Sequence, residues 1–248
     1  MSSAIKERPI LMTGDLVRAT LDRRKTQTRR IPGPTNSLVD GRGVSAAAWE
    51  QYVFDWDTAI VDPGPSPAGN AGPYLKALDI GTGTTHRIYC RIQTGDRLWV
   101  RETWQLFDRL ETMVSEPGRC GFRPTGDILP EGIGYKADLD HCGQVPVAGV
   151  LRTPKGLWRP SIYMPRWASR ILLGVQEIRV ERVQDIEHED ALAEGINPDA
   201  PYNNYATGSI YRDTFAELWD RINAKRGYGW KVNPWVWVVV YKLLEVKT

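Results

Sequence analysis

Trp235-Val236-Trp237-Val238-Val239-Val240-Tyr241-Lys242-Leu243, near the end of the chain, is a run of β-branched and aromatic residues interrupted only by Lys242. Such side chains lose freedom in a helix and pack well on a pleated surface, so the run reads as a strand of the kind that completes a barrel. It is far shorter than the roughly 20 apolar residues a membrane span needs. Working outward, Ile171 to Val183 alternates as a second long strand, with Val175, Ile178 and Val180 as core positions. Gly95-Asp96-Arg97 is a turn into Leu98-Trp99-Val100-Arg101-Glu102-Thr103-Trp104, a strand ending at Glu102 with Leu98, Val100 and Glu102 on one face. Gly134 to Asp138 is a further short strand. Several strands and few helices predict an α+β fold: a small, mainly antiparallel β-barrel with helices at its rim.

Three segments carry helix signals. Thr13-Gly14-Asp15 offers an N-cap for a helix over about Leu16 to Arg24, with Arg23 and Arg24 in its last turn, where cations complement the helix dipole. Asp185 can cap a short helix over Glu187 to Glu194, which Gly195 terminates. Thr214-Phe215-Ala216-Glu217 forms a capping box, with Phe215, Leu218, Trp219 and Ile222 as one stripe and Gly227 as the stop. Between Pro32 and Ile88 no period holds, and Pro63-Gly64-Pro65-Ser66-Pro67 is typical of the composition, so about 32–90 reads as an irregular insertion in a single domain spanning 1–248. Gly81-Thr82-Gly83-Thr84-Thr85-His86 lacks the third glycine of a dinucleotide fingerprint.

A hydrophobic fraction of 42% and a charged fraction of 25% exclude wholesale disorder. The formal charge of +2 is too small to argue for a polyanion partner by itself. Local clustering is more telling: Arg23, Arg24, Lys25, Arg29 and Arg30 lie within eight positions and no acid separates them. Cys90, Cys120 and Cys142 cannot all pair with one another and include no Cys-x-x-Cys, so a reduced cytoplasmic setting is expected. The N-terminal residues lack the apolar core of a signal peptide, and no membrane association is expected. His86, His141 and His188 are scattered, so neither a metal nor a cofactor is implied.

The segment Gly95 to Trp104, the earlier Arg24-Lys25-Thr26-x-Thr28-x-Arg30 and the terminal Trp-Val-Trp-Val-Val strand together resemble the ASCH superfamily of PUA-like domains, in the larger form encoded by phages and prophages. Trp158 to Arg170 and Arg226-Gly227-Tyr228-Gly229-Trp230 add to the likeness, which covers roughly residues 8–31 and 95–245. The resemblance implies a small PUA-like barrel. It also implies an activity, because small bacterial ASCH enzymes hydrolyse N4-acetylcytidine to cytidine and acetate with the lysine and second threonine of a Gly-Arg-Lys-Thr-x-Thr-x-Arg segment and a later glutamate. By that likeness the catalytic residues are Lys25, Thr28 and Glu194, and the substrate is a cytosine-containing nucleoside or base. Arg23 stands where the pattern has glycine. An RNA-binding or modified-base-binding module without catalysis, and an ASCH-type ribonuclease, remain as alternatives, so RNA is a second candidate partner.

The chemistry is coherent with those residues. Amide hydrolysis needs a nucleophile, a base for its proton and an acid for the leaving nitrogen. A lysine base must lose about two to three pKa units, which burial and the neighbouring cations can supply. Glu194 at a helix C-terminus opposes the dipole, as suits a general acid. On a regular strand Lys25 and Thr28 point to opposite faces, so their convergence requires Lys25 to lie in the turn before the strand. Arg24, Thr26 and Arg30 are the remaining motif residues expected at the substrate. Glu102, which can accept from an exocyclic amine, and Trp104, Tyr135 and Trp167, which can stack on a base, complete the expected pocket. Trp219 and Trp237 fit helix and strand patterns and are expected in the core.

Overall fold

The structure, a computed structural model, describes residues 5–64, 72–107, 132–139, 158–196 and 210–247. His141, Cys120, Cys142 and the stretch Pro65-Ser66-Pro67 lie outside the described residues. In chain order the described elements are β1 (Glu7–Leu11), α1 (Gly14–Leu21), β2 (Gln27–Arg30), β3 (Ser37–Val39), α2 (Ala46–Trp49), β4 (Phe54–Asp62), β5 (Tyr74–Asp79), β6 (Thr84–Cys90), β7 (Arg97–Arg101), β8 (Trp104–Phe107), β9 (Gly132–Tyr135), α3 (Lys136–Leu139), β10 (Ile171–Arg182), α4 (His188–Ala193), α5 (Ile210–Asn223) and β11 (Trp235–Val246). The class is α+β, with mostly antiparallel sheets and few helices.

The chain divides into two compact units. The first comprises Met1–Lys6, Arg23–Arg97 and Gly174–Lys242. In it β10, β11 and β2 are neighbours, and β11 pairs antiparallel with β2 in the register Trp237↔Arg30 to Val240↔Gln27. Alternate residues of β11 divide between two faces, as the pleat requires. Val236 and Val238 join Phe215 and Trp219 of α5 and Ala191 of α4 in one core cluster. Trp237 is also fully buried, and its indole N–H donates to Ser37 Oγ at 2.9 Å.

The expected irregular insertion is instead a four-stranded antiparallel sheet of order β3-β6-β5-β4. Its period is hidden because β4 slips register between Asp55 and Ile60. There the Asp55 carboxylate accepts the amides of Asp57 and Thr58 and the Thr58 hydroxyl, so residues that would alternate are gathered into a bulge. Gly81 and Gly83 belong to the tight turn between β5 and β6, where Gly83 takes a φ of +71°.

The second unit comprises Glu7–Asp22, Leu98–Leu173 and Leu243–Thr248. Here β1, β7 and the start of β10 are neighbours, and β8 pairs antiparallel with β9. Leu98, Val100 and Glu102 are all buried, and so is Trp99 on the other face of β7. Trp104, Met164 and Ala168 form a separate small core.

Helix ends depart from the expectations. α1 stops at Leu21, and Arg23 adopts a left-handed φ of +62°, so Arg23 and Arg24 follow the helix rather than closing it. α4 begins after Glu187, because Asp185 is occupied in a 3-10 turn where its carboxylate accepts the Arg182 amide. α5 begins at Ile210, which makes Thr214 an interior residue rather than a cap. Within its stripe Phe215 and Trp219 are buried but Ile222 is exposed. Val180 is half-buried, unlike Val175 and Ile178.

Candidate active site

The left-handed turn at Arg23 sends the chain out of α1 into a short link, and Lys25 lies in that link, ahead of β2. The link is held on both sides by backbone bonds: Thr26 N–H donates to Ala193 O at 2.8 Å, and Tyr241 N–H donates to Thr26 O at 2.8 Å. It therefore runs between the end of α4 and β11.

The Lys25 side chain is 1% exposed, and its Nζ donates to Glu194 Oε2 at 2.7 Å, to Glu194 O at 2.8 Å and to Gln27 O at 2.7 Å. Three acceptors match the three N–H bonds of an ammonium. Burial pushes the Lys25 amine below the ordinary lysine range; Glu194 opposes that shift, and the Arg30 and Arg29 charges add to it. Glu194 is the C-cap of α4, and Gly195 beyond it has a φ of +91°.

Arg29 is a second buried cation here, with a side chain 0% exposed. Its guanidinium donates to Asp190 Oδ2 at 2.7 Å, to Glu181 Oε2 at 3.0 Å and, at a longer 3.3 Å, to Glu194 Oε1. Asp190 also accepts from Gln27 Nε2 at 2.9 Å and from Arg179 at 3.1 Å. Burial raises the Asp190 carboxyl, but the bonds from Gln27 and Arg29 outweigh it and hold the group below its ordinary range. Lys25, Arg29 and Arg179 thus face Glu194, Asp190 and Glu181, three charges of each sign.

Thr28 stands opposite Val239 in the sheet and is buried. The pleat turns it to the face away from the one on which Gln27 and Arg29 meet Asp190. Arg30, opposite Trp237, is half-buried. Arg24 and Thr26 are exposed and line a surface recess with Glu189, Leu192, Ala193 and Ile196; the Arg24 guanidinium reaches Gly195 O at 3.4 Å.

The other expected pocket residues form a cluster in the second unit. Arg170 clamps Glu102 through both carboxylate oxygens at 3.0 Å and Asp138 through both of its own at 2.9 Å. Its guanidinium lies 4.0 Å from the Tyr135 ring centre. Burial raises the Glu102 carboxyl despite Arg170, and it pushes the Tyr135 phenol up to about 12. The Tyr135 hydroxyl donates to Ala168 O at 2.9 Å. Trp104 is buried in the small core, whereas Trp167 is 53% exposed and meets it edge-on at 5.8 Å.

Lys25 and Glu194 are therefore in direct contact. The residues that sequence reasoning missed are Gln27, Asp190 and Arg170, together with Arg29, which it had taken only as a nearby charge. Two signals could have found them: Asp190 and Glu194 are four apart on a helix and so share a face, and Lys25, Gln27 and Arg29 follow the period of two. Among the described residues no group of three or more His, Cys, Asp or Glu is arranged to hold a metal ion, and no helix is long and apolar enough to cross a membrane. No family model matches the chain, and no curated protein or solved structure matches it.

Proposed function

We propose that the chain is an amidohydrolase that removes the acyl group from N4-acylated cytosine nucleosides, on a PUA-like barrel of the ASCH type, with Lys25, Thr28 and Glu194 as its reacting groups. The observation that carries this reading is the buried 2.7 Å contact between Lys25 Nζ and Glu194 Oε2. In water an ion pair is greatly favoured over its neutral tautomer. Burial penalises both charges and narrows that gap, so moving one proton across the contact yields a neutral amine and a carboxylic acid side by side. Those are the base and the acid that amide hydrolysis needs.

In the proposed reaction the Thr28 hydroxyl attacks the acyl carbon and its proton reaches the Lys25 amine by way of a water, since Thr28 lies on the other face of β2. The C–N bond then breaks as the departing cytosine nitrogen takes the proton of Glu194. Water next attacks the Thr28 ester; one of its protons restores the Thr28 hydroxyl, the other is released to solvent, and the acyl group leaves as the carboxylate. Thr28 enters through its place in the motif, and Lys25 and Glu194 through both motif and contact.

The test is incubation of the purified chain with N4-acetylcytidine, followed by chromatography for cytidine, beside a structured RNA followed for fragments. We expect cytidine and intact RNA, with the rate unchanged after prolonged chelation. RNA fragments without cytidine would replace the reading with a ribonuclease. The binding-module reading is favoured by one observation, that three acceptors already occupy the Lys25 ammonium. It predicts ligand binding with no turnover.

A further inference from the structure

In Arg24-Lys25-Thr26-x-Thr28-x-Arg30 the two unspecified positions are Gln27 and Arg29, and both side chains donate to the Asp190 carboxylate. We propose that Arg29 is the positioning residue of the site: it fixes the Glu194 carboxylate in the orientation that presents Oε2 to Lys25, and Asp190 and Glu181 in turn fix Arg29. The inference deepens the amidohydrolase reading and rests on it for its kinetic consequence only.

The geometry divides the Glu194 carboxylate between two cations, Oε2 to Lys25 at 2.7 Å and Oε1 to Arg29 at 3.3 Å. A carboxylate held at one oxygen can rotate about its last bond, whereas one held at both cannot do so without losing a contact. Arg29 itself has no freedom to follow, because its NH2 is bound by Asp190 on α4 and Glu181 on β10. Asp190 is further held by Arg179 on β10 and Gln27 on β2. Phe215 of α5 lies beneath the guanidinium, 5.8 Å from its carbon. Three elements therefore converge on one fully buried arginine, and that arginine touches Glu194 without touching Lys25's nitrogen. A planar five-donor group can make this bridge; a lysine at the position offers a single nitrogen and could not reach three carboxylates in these directions.

The consequence can be read on Lys25 without any substrate. The charged groups facing it are Glu194 at the end of α4 and Arg29 and Arg30 on β2; Glu194 favours the ammonium and the two arginines disfavour it. Removing Arg29 removes one disfavouring charge, which favours the ammonium, and it also frees the Glu194 carboxylate, which Arg30 still faces, to turn away from Lys25.

The experiment follows the Lys25 side-chain resonance in 13C-lysine-labelled protein as a function of pH, assigned by its loss in Lys25→Met, for the wild type, Arg29→Met and Asp190→Asn. Asp190→Asn keeps the guanidinium and loosens its anchor, so the test survives if Arg29→Met does not fold. We expect the Lys25 midpoint to move and its resonance to broaden in Arg29→Met, as the charge is lost and the Glu194 carboxylate is freed. Asp190→Asn should broaden the resonance or shift its midpoint, and Arg29→Lys should fail to restore the wild-type curve. With N4-acetylcytidine, kcat should fall by about a hundredfold in Arg29→Lys with KM within a few-fold, as for a misplaced rather than missing group. A Lys25 midpoint and line shape unchanged in folded Arg29→Met and Asp190→Asn would overturn the positioning role. A wild type with no turnover but an Arg29-dependent Lys25 titration would instead overturn the amidohydrolase reading and leave the positioning role standing.

Discussion

Lys25 grips Glu194 twice, through the carboxylate Oε2 at 2.7 Å and through the backbone carbonyl at 2.8 Å. The second bond satisfies a carbonyl at the end of α4 that has no partner within the helix, and it places a cation at the negative end of the helix dipole. One side chain thus serves as ion-pair partner and as C-terminal cap.

That double role makes Lys25→Met costly. The substitution leaves Glu194 buried without its 2.7 Å partner, and removing one partner of a buried pair costs about 3–5 kcal/mol. Chemical denaturation should show that loss, with turnover abolished. Lys25→Met combined with Glu194→Gln should recover part of the stability and none of the activity. A single variant within 1 kcal/mol of wild type would show that the pair contributes little.

Thr28 separates enzyme from binder. Thr28→Val removes the hydroxyl and keeps the branching, so acyl transfer should stop while N4-acetylcytidine still binds, and Thr28→Ser should keep partial activity. In a binding module the same change would weaken affinity by about 0.5–1.5 kcal/mol. Turnover and dissociation constants for both variants decide it; near wild-type hydrolysis by Thr28→Val removes Thr28 as nucleophile.

Two carboxylates should respond to pH with opposite signs. Asp190 is held below its ordinary value, so its contribution is present above about 3.8 and lost as pH falls through the folded value. The stability gap between wild type and Asp190→Asn should therefore close on acidification. Glu102 is raised by burial, so the wild type should lose stability relative to Glu102→Gln as pH rises from about 4.5 through the folded value. Unfolding free energies measured from pH 3 to 8 test both; gaps that run parallel across the range would contradict the assignments.

Arg170 holds the second cluster. Arg170→Met strands Glu102 in the interior and should cost about 3–5 kcal/mol at neutral pH, less in acid, where Glu102 takes up a proton. The double variant with Glu102→Gln should regain much of the loss. Equal destabilisation by the single and double variants would show that Arg170 acts through Asp138 or Tyr135 instead.

The elements most legible in the sequence were the long ones. β10 and β11 begin at Ile171 and Trp235, the first residues of the runs that mark them, because the alternation of one and the β-branched and aromatic run of the other leave little room for another reading. Of the strands in residues 32–90, β4 was hidden because a bulge at Asp55 breaks its period, and β3 is only three residues long. Lys25 and Glu194 were named together by motif alone, and neither their contact nor the full burial of Lys25 was legible. A lysine after two arginines reads as solvated, and only the packing of α4 over the link shows otherwise. The stability loss expected for Lys25→Met follows from that burial; from sequence the same change reads as worth about 1 kcal/mol. Arg29 was legible as a charge and not as a bridge, since its carboxylate partners lie more than 150 residues away.

That distance has a kinetic side. The bond between Lys25 and Glu194 joins residues 169 apart, and β2 has its partner strand only when β11 arrives. Closing so long a loop costs roughly 4–5 kcal/mol of chain entropy before any contact repays it. Local turns such as the β5–β6 hairpin carry almost none of that cost. During synthesis the first thirty residues therefore emerge with their cations in water, and Lys25 keeps an ordinary, protonated amine until the C-terminal strand is made. Whatever chemistry the desolvated lysine supports is confined to the finished chain.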